Sequence, residues 1–288
     1  RAAFWFGAVL TGLLLLGSLV WLPESIHYLV EKRPPRALEE YNEIADKLGY
    51  PQEDTLPPPH AAQRAGNVVV SAIFKGIMLK RTVYLWLGYG LLTAAFYFGN
   101  QWTPRLVSQY LIEQKLMSDS AAQAYGNNAG VLVSVGGVVA ALLFAWLATK
   151  FHPRIVTVMV MFWGVIAYFL YANLFYIPAL ALILAIGVGM AGNGGIVAFY
   201  AISPSIYPTA ARGTGVGWMV GFGRTWGILA PIVAGYLLAA GLTARSLYMI
   251  FGLLFGAAGI CVLMLHRTFA GESDAMMEDI PAAETAEA

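Results

Sequence analysis

The stretch ARGTGVGWMVGFGRTWGILAPIVAG, residues 211–235, decides the fold of this chain. It is apolar and rich in glycine, and it is long enough to cross a bilayer as a helix, because a hydrocarbon layer of ~30 Å requires roughly 20 helical residues. Arg224 nevertheless lies near its middle. A charge at that depth costs ~2.5–3.5 kcal/mol on insertion scales, so its presence requires an explanation.

The chain as a whole has the composition of an integral membrane protein. Of its 288 residues, 59% are hydrophobic and 11% are charged, and the apolar residues form unbroken runs. These runs are typical of helices rather than of the alternating strands of a transmembrane barrel, so we predict an all-α membrane bundle. The stretches predicted to span the membrane are 2–22, 82–103, 128–149, 154–176, 178–203, 213–240 and 245–266.

This pattern divides the chain into four regions. Residues 1–22 are expected to be the last helix of an amino-terminal half that precedes this chain, because one span comes before a long basic loop and six come after it. Residues 23–81 form that loop, in which ALEEYNEIADKL has helical spacing and predicts a short amphipathic helix with a capping role. Residues 82–266 are predicted to form a six-helix transmembrane bundle, and residues 267–288 a disordered acidic tail.

The distribution of positive charge predicts the orientation. If residues 23–81 are cytoplasmic, most Lys and Arg residues fall on that side, as the positive-inside rule favours. The residues that fall outside are Arg1, Arg105, Lys115 and Arg245. The carboxy terminus would then be cytoplasmic, and the lipid bilayer would surround the spans.

The sequence contains no constellation for catalysis or metal binding. Its histidines lack metal-ligand spacing, no nucleophile has a base beside it, and the glycines lie inside spans with no preceding strand. We therefore expect no enzymatic activity, no metal, no cofactor and no nucleic-acid partner. The single cysteine, Cys261, cannot form an intrachain disulfide.

Arg224 is best explained as a residue that binds a ligand. It lies about 12 residues after Arg212 and about 16 before Ala240, so either membrane boundary is roughly 18 Å or more away along the helix, too far for the side chain to reach water through lipid. Gly217 and Gly221 share its face and leave the backbone thinly covered. A guanidinium in a polar cavity there suits a carboxylate, which it can bind through two parallel hydrogen bonds.

Three further segments resemble one known family. WLPESIHYLVEKRPPRALEEYNEI at 21–44 has a Pro-Glu-Ser turn that leads into a short helix, and FYFGNQWTPRLV at 96–107 and AISPSIYPTAARGTGVGW at 201–218 follow it. In their order and spacing they resemble the aromatic acid:proton symporter branch of the major facilitator superfamily, over nearly all of residues 1–267 and corresponding to helices six to twelve. The resemblance implies a secondary transporter of the bacterial inner membrane that imports a hydroxybenzoate-like aromatic carboxylate together with protons.

The resemblance also implies roles for individual residues. Arg212 and Arg224 match two arginines of the family that matter for transport, which implies gating for Arg212 and substrate binding for Arg224, although a cation at Arg212 also fits a topological role.

Other candidates follow from the residues themselves. Tyr89, Thr93, Tyr97 and Asn100 (or Gln101) run down one face of the second span at intervals of three or four residues and offer a platform for the substrate ring. Asn100 could hydrogen-bond a ring hydroxyl, or it could simply be hydrated because it lies close to the membrane boundary. Asn193 is expected either to bond a neighbouring helix or to line the cavity.

One loop departs from the family pattern. In FAWLATKFHPRIV, residues 144–156, Thr149 occupies the position of an acid that takes part in charge contacts at the cytoplasmic gate of such transporters. Lys150 and Arg154 remain as the basic residues of this loop. They are interpreted either as gating residues or as cations that set the topology.

The stretches 82–103, 128–149, 154–203 and 213–266 contain no Asp or Glu. Proton coupling normally needs a titratable group in the membrane, so we expect the coupling carboxylates in the amino-terminal half. Two alternatives stay open. One is another facilitator branch that transports a sugar or an aliphatic acid, and the other is a non-transporting receptor or scaffold that binds partners through residues 23–81 and the acidic tail.

Overall fold

The computed structural model of the chain describes residues 2–21, 24–57, 73–207 and 209–268. Every regular element within these ranges is a helix, which confirms the predicted all-α fold. The chain divides into two compact units, residues 1–64 and residues 65–288. The predicted disordered tail from residue 269 onward and residues 58–72 of the central loop lie outside the described residues.

The first unit contains α1 (Ala2–Trp21), α2 (Ile26–Lys32) and α3 (Ala37–Lys47). α1 has 20 residues, and its continuous apolar part is Phe4–Leu19. Ser25 begins α2 by accepting a hydrogen bond from the backbone N–H of Tyr28 at 3.1 Å, so the serine of the Pro-Glu-Ser turn acts as a helix cap. In α3, the Asn42 amide bonds both the N–H and the carbonyl oxygen of Glu53 at 2.9 Å, which ties the helix to the chain that follows it.

The second unit contains six long helices. They are α4 (Gly76–Glu113), α5 (Asp119–Ala148), α6 (Pro153–Leu174), α7 (Pro178–Ile202), α8 (Thr209–Ala239) and α9 (Ala244–Arg267). Within the described ranges, five helices are long and apolar enough to cross a membrane, and they correspond to α5 through α9. The chain is therefore a multi-pass integral membrane protein.

α4 covers the predicted span 82–103 but is much longer, at 38 residues. It continues through Pro104, although proline removes a backbone donor and usually disturbs a helix. Beyond this proline, Leu106, Val107 and Leu111 are all buried. Their packing supports the helix past the point where the sequence predicts its end, because tertiary contacts supply most of the stability of a helix.

α4 lies at the centre of the second unit and contacts α5, α7, α8 and α9. α6 packs between α7 and α9, while α5 packs against α4 and α7. α8 differs from the other helices, since it packs along α4 and touches α9 only marginally. One side of α8 is therefore open within the part of the chain that the structure describes.

Glycines permit the closest approach between α5 and α7. A side chain at Gly189 would overlap the carbonyl of Val133, and one at Gly136 would overlap the carbonyl of Ile186. Membrane helices associate through van der Waals contact rather than through a hydrophobic driving force, so small residues at the crossing bring the two backbones together.

An arginine lies at each end of the second unit, and we call these ends the Arg81 end and the Arg245 end. At the Arg81 end, where α4 begins and α9 ends, Arg81 donates hydrogen bonds to Oγ1 and the carbonyl oxygen of Thr268 at 3.2 and 2.9 Å. At the Arg245 end, α4 terminates and α9 begins, with Arg245 in its first turn. α8 runs from the Arg81 end to the Arg245 end.

Candidate functional site

Arg224 lies on the open side of α8. Its side chain is exposed, and the one ion pair among the described residues joins Arg36 to Glu39, so Arg224 has no carboxylate partner there. A methyl group added at Gly217 or Gly221 would meet no atom within 4 Å. The face that these two glycines share with Arg224 is thus uncovered in the described chain, although their spacing is also typical of close helix contacts.

The adjacent side of α8 packs against α4 through glycines and aromatic rings. A side chain at Gly223 would overlap the ring of Tyr89, and one at Gly227 would overlap the ring of Tyr97. The hydroxyl of Thr93, between these tyrosines, donates a hydrogen bond that is shared by the carbonyl oxygen of Gly223 at 3.0 Å and those of Tyr89 and Gly90 at 2.9 Å. The three α4 residues therefore lie on one face of their helix, and this face points towards α8.

Tyr89 is covered by its neighbours, with only 3% of its surface exposed. Its hydroxyl donates a hydrogen bond to the hydroxyl of Tyr200 in α7 at 3.2 Å, as a buried phenol requires. Tyr200 itself is 44% exposed. The ring of Tyr89 also covers Gly223, the residue next to Arg224 in α8. The structure thus brings Tyr89 and Arg224 into one region.

Tyr200 was not among the residues predicted from the sequence. It lies about seven residues, or roughly two helical turns, after Asn193, and therefore close to the same face of α7. Tyr200 could have been identified from the sequence by this spacing, because it places a second polar side chain on the face of α7 that carries Asn193.

Tyr97 and Asn100 have different surroundings. Tyr97 is half-buried, and its ring meets Phe96 edge to face with the centroids 5.0 Å apart. Asn100, one turn further along α4, is exposed. The Tyr97 ring contacts α8 at Gly227, whereas Asn100 lies at the surface of the described chain.

Asn193 lies between α7 and α5. Its amide donates a hydrogen bond to the carbonyl oxygen of Gly189, one turn earlier in its own helix, at 3.3 Å. A side chain at Gly137 of α5 would come within 2.7 Å of the amide carbon. Asn193 thus bonds its own helix, and α5 packs against its side chain.

The three residues for which gating is predicted lie near the Arg81 end, where they differ in burial. Arg212 is exposed in the first turn of α8. Lys150 is also exposed, and its Nζ lies 4.3 Å from the centroid of the Trp146 ring, within the range of a cation–π contact. Arg154 is only 3% exposed, near the beginning of α6.

A second group of rings extends the α4–α8 contact towards the Arg81 end, and it was not predicted. Trp86 of α4 stacks on Trp218 with the centroids 6.2 Å apart and lies 6.1 Å from the ring of Phe222. Its Nε1 donates a hydrogen bond to the hydroxyl of Tyr207 at 3.1 Å. Trp218, Phe222 and Trp226 recur every four residues, and this spacing is the signal that identifies the aromatic face of α8.

The chain is similar in sequence to curated transporters of aromatic acids, while no protein-family model matches it. It is 31% identical to the 4-hydroxybenzoate transporter PcaK of Pseudomonas putida, over 82% of this chain and 51% of that protein. It is 28% identical to a gallate transporter of the same species, over 90% and 57% of the two chains. It is also 28% identical to a gentisate transporter of Corynebacterium glutamicum, over 68% and 44%.

The chain spans about half the length of the curated relatives that it matches. These relatives are transporters, which supports the prediction that this chain is not an enzyme. The helical membrane fold, the motifs at 21–44, 96–107 and 201–218, and the relatives agree with one another. The chain belongs to the aromatic acid transporter family of the major facilitator superfamily.

Proposed function

We propose that this chain forms the carboxy-terminal part of a secondary transporter that imports a hydroxybenzoate-like aromatic carboxylate together with protons. The activity is proposed for a protein of the relatives' full length, of which this chain spans about half. Arg224 is the observation that carries the proposal. It is a cation in an otherwise apolar helix, on an open face, with no carboxylate partner among the described residues.

Arg224 holds the substrate carboxylate in this proposal. Its planar guanidinium can donate two parallel hydrogen bonds to a carboxylate, and such a charge-assisted pair is stronger where water is excluded. Open space at Gly217 and Gly221 leaves room for the ligand to approach the helix. The bound anion also offsets part of the cost of an arginine within the membrane.

The substrate ring lies against Tyr97, and Tyr200 contacts a ring hydroxyl. Tyr97 supplies a half-buried aromatic surface. The hydroxyl of Tyr200 accepts a hydrogen bond from Tyr89 and so keeps its own hydrogen for donation to a ligand. Tyr89 would then orient Tyr200, and Asn100 and Asn193 would supply further polar contacts along the substrate path.

Transport follows an alternating-access cycle in which two six-helix bundles rock about a site near the membrane midplane. Arg212 lies in the first turn of the helix that carries Arg224, so it is the residue to which we assign a gating role. Lys150 and Arg154 belong to the same end and either take part in the gate or set the topology. The positive-inside rule supports an Arg81 end and a carboxy terminus in the cytoplasm, with the protein in the bacterial inner membrane.

The groups that carry the coupled protons lie in the amino-terminal half in this proposal. The predicted spans from residue 82 onward contain no Asp or Glu, and a titratable group with access to both sides is the usual requirement for proton coupling.

Uptake of radiolabelled 4-hydroxybenzoate tests the proposal, in cells that lack their own aromatic acid uptake and express the full-length transporter that contains this chain. We expect uptake that a protonophore abolishes and that benzoate inhibits, whereas acetate and glucose do not. Uptake that resists the protonophore would refute proton coupling. Inhibition by acetate or glucose would favour the other facilitator branches. No uptake by protein that reaches the membrane would refute aromatic acid transport.

A further inference from the structure

A cavity of about 760 Å³ opens at the Arg245 end of the second unit, and we call it the Arg245 cavity. It lies between the ends of α4 and α8 and the beginning of α9, with Phe175 at the end of α6 also in its lining. Its volume is within the range of small-molecule sites. Gly235 lines it and follows Arg224 by about eleven residues, a distance of ~16 Å along α8. The cavity is therefore separate from the site proposed at Arg224.

The Arg245 cavity has a net positive charge. Arg105 from α4 and Arg245 from α9 line it, both are exposed, and neither forms an ion pair within the described chain. The single acid of the lining, Glu113, accepts a hydrogen bond from Nε2 of Gln109 at 2.7 Å. The first turn of α9 adds the partial positive charge of a helix amino terminus. Two arginines from different helices thus line one cavity.

Aromatic rings form the walls of this cavity. The guanidinium carbon of Arg105 lies 5.1 Å from the centroid of the Trp102 ring. Tyr110 meets Phe175 edge to face, with the centroids 5.4 Å apart. A methyl group at Gly235 would lie 3.7 Å from the indole of Trp102, so α8 passes close to this ring. Aromatic rings beside two cations match a ligand that has both a ring and a negative charge.

We infer that the Arg245 cavity is a second binding site for an aromatic carboxylate, in which Arg105 and Arg245 bind the carboxylate and Trp102 and Tyr110 contact the ring. The choice of ligand rests on the proposed function, whereas the site rests on the lining of the cavity. In the proposed orientation the cavity lies on the side from which substrate arrives. It would hold substrate before its transfer to Arg224.

Equilibrium binding of labelled 4-hydroxybenzoate to the purified full-length protein tests this inference. We expect two sites per protein. The double substitution Arg105→Gln and Arg245→Gln weakens binding at the Arg245 cavity at least tenfold and leaves binding at Arg224 unchanged. Arg224→Leu removes binding at Arg224 and leaves binding at the cavity unchanged. Lys115→Gln, which removes a cation just after α4 that does not line the cavity, is the matched control and leaves both sites.

The outcomes distinguish this inference from the proposed function. A single site that is lost with Arg224→Leu and unchanged in the double variant overturns the inference and leaves the proposed function intact. A single site that is weakened in the double variant and unchanged in Arg224→Leu supports the cavity and overturns the role of Arg224. No binding at all overturns both. Displacement from the cavity by acetate as readily as by benzoate contradicts an aromatic ligand.

Thermal unfolding checks that the glutamine variants are folded. Because both arginines are exposed, we expect these variants to unfold at the wild-type temperature.

Discussion

The Oγ1 of Thr93 in α4 lies 3.0 Å from the carbonyl oxygen of Gly223 in α8, which shares the hydroxyl hydrogen with two carbonyl oxygens of α4 itself. The ring of Tyr89 covers the same glycine so closely that a side chain there would overlap it. Arg224 is the next residue along α8. The contact with α4 therefore holds the backbone of α8 directly beside the arginine, and it determines where the guanidinium lies relative to Tyr89.

Thr93→Val tests the contribution of this hydrogen bond. Valine keeps the shape of threonine but lacks the hydroxyl, so we expect the free energy of unfolding to fall by about 0.6 kcal/mol, the average for hydrogen bonds between membrane helices. Equilibrium unfolding in mixed micelles measures the change, and Thr93→Ser should restore most of it. A serine variant less stable than the valine variant would assign the effect to packing of the methyl group instead.

Gly223→Ala and Gly221→Ala form a matched pair on one helix. The first places a methyl group in the ring of Tyr89, so we expect a loss of about 1–3 kcal/mol, typical of overpacking. The second meets open space and should leave the stability unchanged or slightly raised, since alanine favours helix over glycine. Thermal unfolding of the 288-residue chain compares them. Equal unfolding temperatures would contradict the close contact between α4 and α8.

Tyr200→Phe tests recognition of a ring hydroxyl. The variant cannot donate a hydrogen bond to the substrate, so we expect KM for 4-hydroxybenzoate to rise by about two- to tenfold, the equivalent of one neutral hydrogen bond. Benzoate has no ring hydroxyl and serves as the control substrate, whose KM should not change. A parallel rise for both acids would assign Tyr200 a structural role through Tyr89.

Arg212→Gln tests the gating role. Arg212 lies at the start of α8, away from the proposed carboxylate contact, so we expect the maximal uptake rate to fall at least severalfold while the equilibrium Kd for the acid stays the same. Arg267→Gln, which removes another exposed cation from the Arg81 end, is the control. A variant at Arg212 that changes Kd and rate together would place the residue in substrate binding.

The helices were largely predictable, but their ends were not. The length of an apolar run matches the thickness of the bilayer, so these runs locate α5 through α9 well. They do not report where a helix begins in water, and α5 starts at Asp119 instead of residue 128 because its first turns are polar. α4 passes Pro104 because buried side chains beyond it pack on neighbouring helices, which local sequence does not specify.

The candidate site was predictable where it depends on one helix. The spacing of Tyr89, Thr93 and Tyr97 identifies a common face from sequence alone. The pairing of Tyr89 with Tyr200 depends on which helices are neighbours, and hydropathy carries no information about that. The same holds for Arg105 and Arg245, which belong to different helices and line one cavity only because α4 ends where α9 begins.

Binding of benzoate and of its neutral analogue benzamide tests the central claim most directly. The measurement compares full-length protein carrying Arg105→Gln and Arg245→Gln with the same protein that also carries Arg224→Leu, so that the Arg245 cavity does not contribute. With Arg224 present we expect benzoate to bind about 10- to 100-fold more tightly than benzamide, as the loss of a charge-assisted hydrogen bond implies. With Leu at 224 we expect equal, weak binding of the two ligands. A preference for benzoate that persists without Arg224 would contradict the account.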